Sequence, residues 1–279
     1  MLNGETIKKI EGFVYSKPRS MQEIANLLEK NWRTVDKYVD EIKKNFGTID
    51  TRTFRGGTRG ALKIIYWSSI EKVSNSVFQE KIEKDILNGK NKQDFSPFDM
   101  FQYINNRNKK AILEKNERDT NKNMEEYFKL IKETKNQLLI FSGNLSFINF
   151  KVKGFDILDA FEDLVKKKIS IKIICRVDIV GKKNVEKVLS LNFKHGTNLI
   201  EIHHREQPLR GAVLDSKLIR LTEIKFPTEK MNELENEIAI TYILNDKEWA
   251  KWLSQIFWKM FSSSIGANKR IEELSKISK

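Results

Sequence analysis

The sequence predicts a multidomain α/β protein: a small helical head that ends in a hairpin, a helical connector, and a C-terminal lobe around a mixed sheet. Three observations predict it. Apolar residues recur at helical spacing in three stretches before Gly47. The pattern then turns to alternation on either side of Gly56-Gly57. Beyond Gln137, short apolar runs alternate with amphipathic stretches, the β-α-β order that implies parallel pairing. A length of 279 residues with 39% hydrophobic content suits two compact domains with real cores and excludes a disordered or fibrous chain.

In the head, residues 1–67, Ile7, Ile10, Phe13 and Val14 mark a first helix. Ser20 and Glu23 form a capping box that opens a second, Met21 to Glu29. Lys30-Asn31 makes a tight turn. A third helix, from about Trp32 to Asn45, places Val35, Tyr38, Val39 and Ile42 on one face, and Gly47 stops it. Ile49, Thr51 and Thr53, then Leu62, Ile64 and Tyr66, alternate as the two arms of a hairpin. Three short helices followed by a basic hairpin match the winged helix-turn-helix plan.

Residues 68–136 read as a connector. Ile70, Val73, Val77, Ile82 and Ile86 suggest one helix, Phe98 to Ile104 a short second one, and Asn106 to Lys135 a long charged one. Acidic and basic residues interleave here, as on a solvated helix face or a short coiled coil, so this zone is expected to connect and to offer a dimer contact. In residues 137–265 strands are expected at Gln137 to Ser142, Ser170 to Val177, Leu199 to His204, Gly211 to Asp215, Leu218 to Thr222 and Glu237 to Leu244. Helices fall at Phe155 to Lys168, Asn184 to Leu191 and Lys247 to Ser263, the last with Trp249, Trp252, Leu253, Ile256, Phe257 and Met260 on its core face. Residues 266–279 read as a charged tail.

Charge and cysteine usage narrow the function. With 51 Lys+Arg against 38 Asp+Glu the formal net charge is +13, which favours a polyanion, most simply nucleic acid. One Cys and three His exclude a disulfide framework and a cysteine-based zinc site. The opening MLNGETIKKIEGF lacks an apolar signal core, and no run approaches the roughly 18 apolar residues of a membrane span. A cytoplasmic protein with no membrane contact, metal or cofactor is expected.

The helical pattern turns Arg33, Asp36, Lys37, Asp40 and Lys44 away from the buried face of the third helix. Asn31, Trp32, Arg33 and Thr34 lie where recognition helices meet base edges, with Arg33 suited to a bidentate contact to guanine; Lys37 and Lys44 suit phosphates. Arg52, Arg55, Thr58 and Arg59 surround the two-glycine tip, a wing for a minor groove or the backbone. Asp36 and Asp40 oppose phosphate unless they accept from a base amino group or pair with Lys37 or Lys44.

In the lobe, Arg205 to Thr222 reads REQPLRGAVLDSKLIRLT, a loop and two strands flanking Asp215. This resembles the phospholipase D superfamily, whose signature is His-x-Lys-x4-Asp. Aligned on Asp215, Arg210 takes the lysine position and Pro208 the histidine position, so the attacking imidazole is missing and no catalytic residue is assigned. Winged head, charged helices and such a lobe together, with the strings LLIFSGNL, LRGAVLD and AITYILND before a Trp-rich helix, resemble the TrmB-type transcriptional regulators of archaea over Ile7 to Phe261. The resemblance implies a non-enzymatic homodimer that binds a specific double-stranded DNA operator, with the lobe as sensor of a small molecule, a sugar or an anionic metabolite.

Ligands of α/β sheets sit beyond the C-terminal ends of parallel strands. Ser142, Asn144, Arg176, Asp178, His204 and Arg205 are expected there, with Arg210 and Asp215 beside them. The arginines suit a phosphate or carboxylate; Asp178 and Asp215 either meet sugar hydroxyls or neutralise those arginines. His203 and His204 alternate across a strand, and Cys175 reads as a small buried hydrophobe. Two other functions fit the same features: a phospholipase D-type phosphodiesterase or nuclease, and a non-specific architectural DNA-binding or interaction protein.

Overall fold

A computed structural model describes residues 2–55, 61–67, 75–114, 117–152, 154–227, 234 and 236–277 of the chain. The head is α1 (Gly4–Ser16), β1 (Arg19–Ser20), α2 (Met21–Leu28), α3 (Trp32–Asn45), β2 (Ile49–Arg55) and β3 (Ala61–Trp67). β1, β3 and β2 form a three-stranded antiparallel sheet; β1 carries no sequence pattern and exists only because Arg19 and Ser20 meet Ile65 and Ile64 of β3. The capping box of Ser20 and Glu23 is present at α2. Glu29 turns the chain in the left-handed region at φ 53°, and Asn31 caps α3. Val35, Tyr38, Val39 and Ile42 are buried with Ile10, Val14, Ile24 and Ile65 in a core of the head's own.

The rest is a mixed α/β assembly on one eight-stranded sheet. Its elements are α4 (Asn75–Asn88), α5 (Phe98–Phe101), β4 (Lys109–Glu114), α6 (Glu117–Glu133), β5 (Gln137–Phe141), the short hairpin β6 (Lys151–Val152) and β7 (Phe155–Asp156), α7 (Ile157–Lys166), β8 (Ser170–Cys175), α8 (Lys182–His195), β9 (Ile200–His204), β10 (Gly211–Leu214), β11 (Leu218–Lys225), β12 (Ile238–Leu244), α9 (Lys247–Ser262), β13 (Ile265–Gly266) and α10 (Ala267–Ile277). The strand order is β13-β9-β8-β5-β10-β11-β12-β4, with β5, β8 and β9 parallel and the other pairings antiparallel. One face is covered by α5 and α9, the other by α6, α7, α8 and α10. Among the described residues no helix is long and apolar enough to cross a membrane.

Two expectations fail here. The charged helix expected from Asn106 to Lys135 is instead β4 followed by α6. β12 presents an open edge that Lys109–Glu114 completes residue for residue, and α6 buries Tyr127, Phe128 and Ile131 on the sheet instead of forming a solvated coiled coil. The connector and the lobe therefore share one sheet. The segment expected as a charged tail from residue 266 forms β13 and α10, because Ala267, Ile271 and Leu274 lie on one helical stripe and pack on the lobe core.

Gly211 opens β10 at φ 144°, and a Cβ there would stand 2.0 Å from the Arg220 carbonyl oxygen. Only glycine lets β10 and β11 close at this point, which fixes where Arg210 and Arg220 sit.

Candidate functional site

On α3, Arg33, Lys37 and Lys44 are exposed and make no ion pair among the described residues. At 3.6 residues per turn the three fall within about 40° of one another, opposite the buried stripe. The acidic residues on the flank of that row are neutralised from elsewhere: Lys63 of β3 reaches Asp36 at 2.6 Å and Asp40 at 3.1 Å. Burial opposes the charge on Lys63, but the two carboxylates outweigh it and hold its pKa above the ordinary value. The partners expected for these carboxylates, Lys37 and Lys44, form no ion pair with them among the described residues.

The remaining head residues divide by role. Asn31 accepts from the Thr34 backbone N–H at 2.9 Å and from the Thr34 hydroxyl at 3.0 Å, so both side chains hold the helix start. Trp32 packs partly into the head core, with the Arg33 guanidinium 5.8 Å from its ring. Arg55 is exposed at the end of β2. Arg52 is not at a free tip: its guanidinium lies 4.8 Å from the Phe101 ring, at the seam with the lobe. Thr58 and Arg59 lie outside the described residues.

The lobe gathers a second basic site. Ser142, Asn144, Arg176, Arg205 and Arg210 line a cleft of about 330 Å³ at the C-terminal ends of β5 and β8, together with Lys90 and Lys92, which carry no signal in the sequence pattern. Lys92 is held by backbone carbonyls, its Nζ donating to Gln207 at 2.7 Å and to Leu209 at 2.5 Å. Burial, then the nearby Arg210 charge, pushes its pKa down to about 7. Asp178 pairs with Arg176 at 2.8 Å and accepts from the Gly181 N–H, so it neutralises an arginine. Arg205 donates to the Ser263 hydroxyl at 2.9 Å.

Asp215 does not join this cleft. β10 runs antiparallel to β5, so Arg210 and Asp215 lie at opposite ends of the sheet. The Asp215 carboxylate accepts from the backbone N–H groups of Lys135, Asn136 and Gln137 and fastens the start of β5. The imidazoles are dispersed too. His203 stacks on Phe261 at 3.7 Å and donates from Nδ1 to its carbonyl. His204 accepts from the Val177 N–H at 2.9 Å, and burial, with Arg270, lowers its pKa. His195 meets Glu162 beside α8. Cys175 is buried, which pushes its thiol up to about 12.

No protein-family model matches the chain, and no curated protein matches its sequence. Among solved structures it is similar to a phospholipase D family member, Nuc from Salmonella typhimurium, at 11% identity over 57% of this chain and 96% of that one, with a TM-score of 0.40. NucT from Helicobacter pylori matches at 14% identity over 57% and 99%, TM-score 0.40. TrmBL2, described as an archaeal chromatin protein with a novel mode of DNA binding, matches at 11% identity over 94% and 93%, TM-score 0.40. The expectation that the chain is not an enzyme is withdrawn on the first two of these likenesses.

Proposed function

We propose that the chain binds double-stranded DNA through a winged helix-turn-helix head, with α3 in the major groove. The observation that carries this reading is the row of Arg33, Lys37 and Lys44, exposed and without an ion pair among the described residues, beside carboxylates already held by Lys63. Such a row supplies the phosphate attraction of a recognition helix, and Arg33 near its N-terminus supplies a base contact. Sequence-specific regulation by a homodimer, with two heads on two half-sites and a ligand-responsive lobe, is the form of DNA binding we favour.

Fluorescence anisotropy on a pool of duplexes at two salt concentrations tests it. Lys37→Ala is expected to weaken all sequences alike and to flatten the salt slope by about one, while Arg33→Ala loses roughly 1 to 3 kcal/mol of discrimination at one base position. No binding at low ionic strength, or binding indifferent to both substitutions, overturns the reading.

The basic cleft supports a second reading, a phosphodiesterase or nuclease activity of the lobe, because Lys90, Lys92 and three arginines converge on one concave site suited to a phosphodiester. Hydrolysis of labelled duplex and of a chromogenic phosphodiester, lost in Lys92→Met and kept in Arg33→Ala, would assign chemistry to that cleft.

A further inference from the structure

A second cavity of about 400 Å³ opens between α6, the loop after β5 and the sheet face of β10 and β11, adjoining the basic cleft through Ser142, Gly143, Asn144 and Arg210. Its wall is apolar where Tyr127 of α6 and Phe147 and Phe150 of the loop contribute, and cationic where Arg220 and Arg210 do. Arg220 is 5% exposed, in the middle of a strand whose neighbours Ile219 and Leu221 point into the opposite core. Its guanidinium lies over the Tyr127 ring at 4.3 Å. Its Nε is buried with no hydrogen-bond partner; burial lowers its pKa, outweighing Glu114 and Glu126, which favour its charge through space. Glu114, which also lines the cavity, already accepts from Asn123 and from the Thr241 hydroxyl, and Thr241 in turn meets Thr222 at 2.8 Å.

A guanidinium stays ionised at any ordinary pH, and a buried one with an unsatisfied N–H is costly unless something else satisfies it. The volume is that of a small-molecule pocket: mostly apolar, with few convergent polar groups. We infer that this cavity binds a small organic anion, a carboxylate or phosphate monoester carrying an aromatic or aliphatic group, with the anionic end on Arg220 and Arg210 and the apolar end against Tyr127, Phe147 and Phe150. Planar donors on Arg220 suit either acid bidentately. A neutral sugar would leave the guanidinium as it stands, so charge, not hydroxyl pattern, selects the ligand. This goes beyond DNA binding and stands without it, since no head residue lines the cavity.

The probes are phenyl phosphate and benzoate, titrated against the full chain by calorimetry and thermal shift. Saturable binding of one or both is expected, weakened about tenfold or more by Arg220→Met and unaltered by Arg176→Met, which alters only the neighbouring basic cleft. Unliganded Arg220→Met is expected to melt no lower than wild type, since an apolar side chain replaces a buried charge whose Nε–H is unsatisfied. An independent readout on the unsubstituted protein is the Arg220 Nε–H resonance, which is expected to shift during the titration. The inference is overturned if neither probe binds saturably, if Arg220→Met binds as wild type does, if Arg176→Met abolishes binding, or if the Nε–H resonance stays fixed while a probe binds. Because each arm reads small-molecule binding, failure here and failure to bind duplex are separate results.

Discussion

Lys63 shows how one residue sets the charge of a surface it does not itself occupy. Its ammonium lies between Asp36 and Asp40, and removal would leave two carboxylates beside the exposed row of Arg33, Lys37 and Lys44. Lys63→Met is expected to weaken duplex binding more than loss of any single exposed lysine, and Asp36→Asn with Asp40→Asn on top to restore most of it. Anisotropy on this double-mutant cycle checks the coupling. Buried charge in the lobe has a different readout. Asp99 is pushed up to about 7 by burial and then by Glu223, against an ordinary 3.8, so between those values the folded state binds the extra proton and stability falls as pH rises. Lys92, pushed down to about 7 from 10.5, acts the other way: above about 7 the unfolded state binds the extra proton, and stability is regained as pH rises toward 10.5. Relative to Asp99→Asn, wild type is expected to lose stability from pH 4 to 7; relative to Lys92→Met, it gains from pH 7 to 10. Urea denaturation across that range reads both slopes.

At the level of elements, local signals and tertiary ones separate cleanly. The buried stripe of α3 and the capping box of α2 are written in residue type and spacing, and both are present. Ser20→Ala removes an acceptor from the Glu23 N–H and breaks the reciprocal bond geometry, an expected loss of about 1 kcal/mol, seen as a lower denaturation midpoint. By contrast β4, KKAILE, is six residues among charged neighbours, and it is a strand only because β12 leaves an edge to pair with. α10 was legible in principle: Ala267, Ile271 and Leu274 recur at helical spacing, but the surrounding charges masked them. In the sites, the outward row of α3 follows from periodicity, whereas Lys92 reaches its cleft from a loop far away in sequence. Arg220 had a visible signal, a lone charge inside the apolar run LIRL, where charged residues are seldom buried without a purpose.

For the molecule as a whole, the decisive contact is between head and lobe. Phe54 of β2 leaves the head's own core and enters the lobe's, meeting Phe98 at 6.3 Å and Tyr242 at 6.5 Å edge to face, with Ile64 buried beside it. Tyr66 meets Phe98 at 5.5 Å, and Arg52 lies over Phe101. These contacts orient the head, and α3 with it, on the sheet of the lobe through an aromatic seam. Phe54→Ala tests this, because it removes the central ring of the seam but none of the residues of α3. Roughly 3 kcal/mol of docking energy is expected to be lost. Head and lobe each bury a separate apolar cluster, so differential scanning calorimetry should show one cooperative transition in wild type resolving into two in the variant. Duplex affinity at low salt should stay close to wild type, since Arg33, Lys37 and Lys44 keep their places on α3. A single transition that persists in Phe54→Ala would show that the head is held by something other than this aromatic seam.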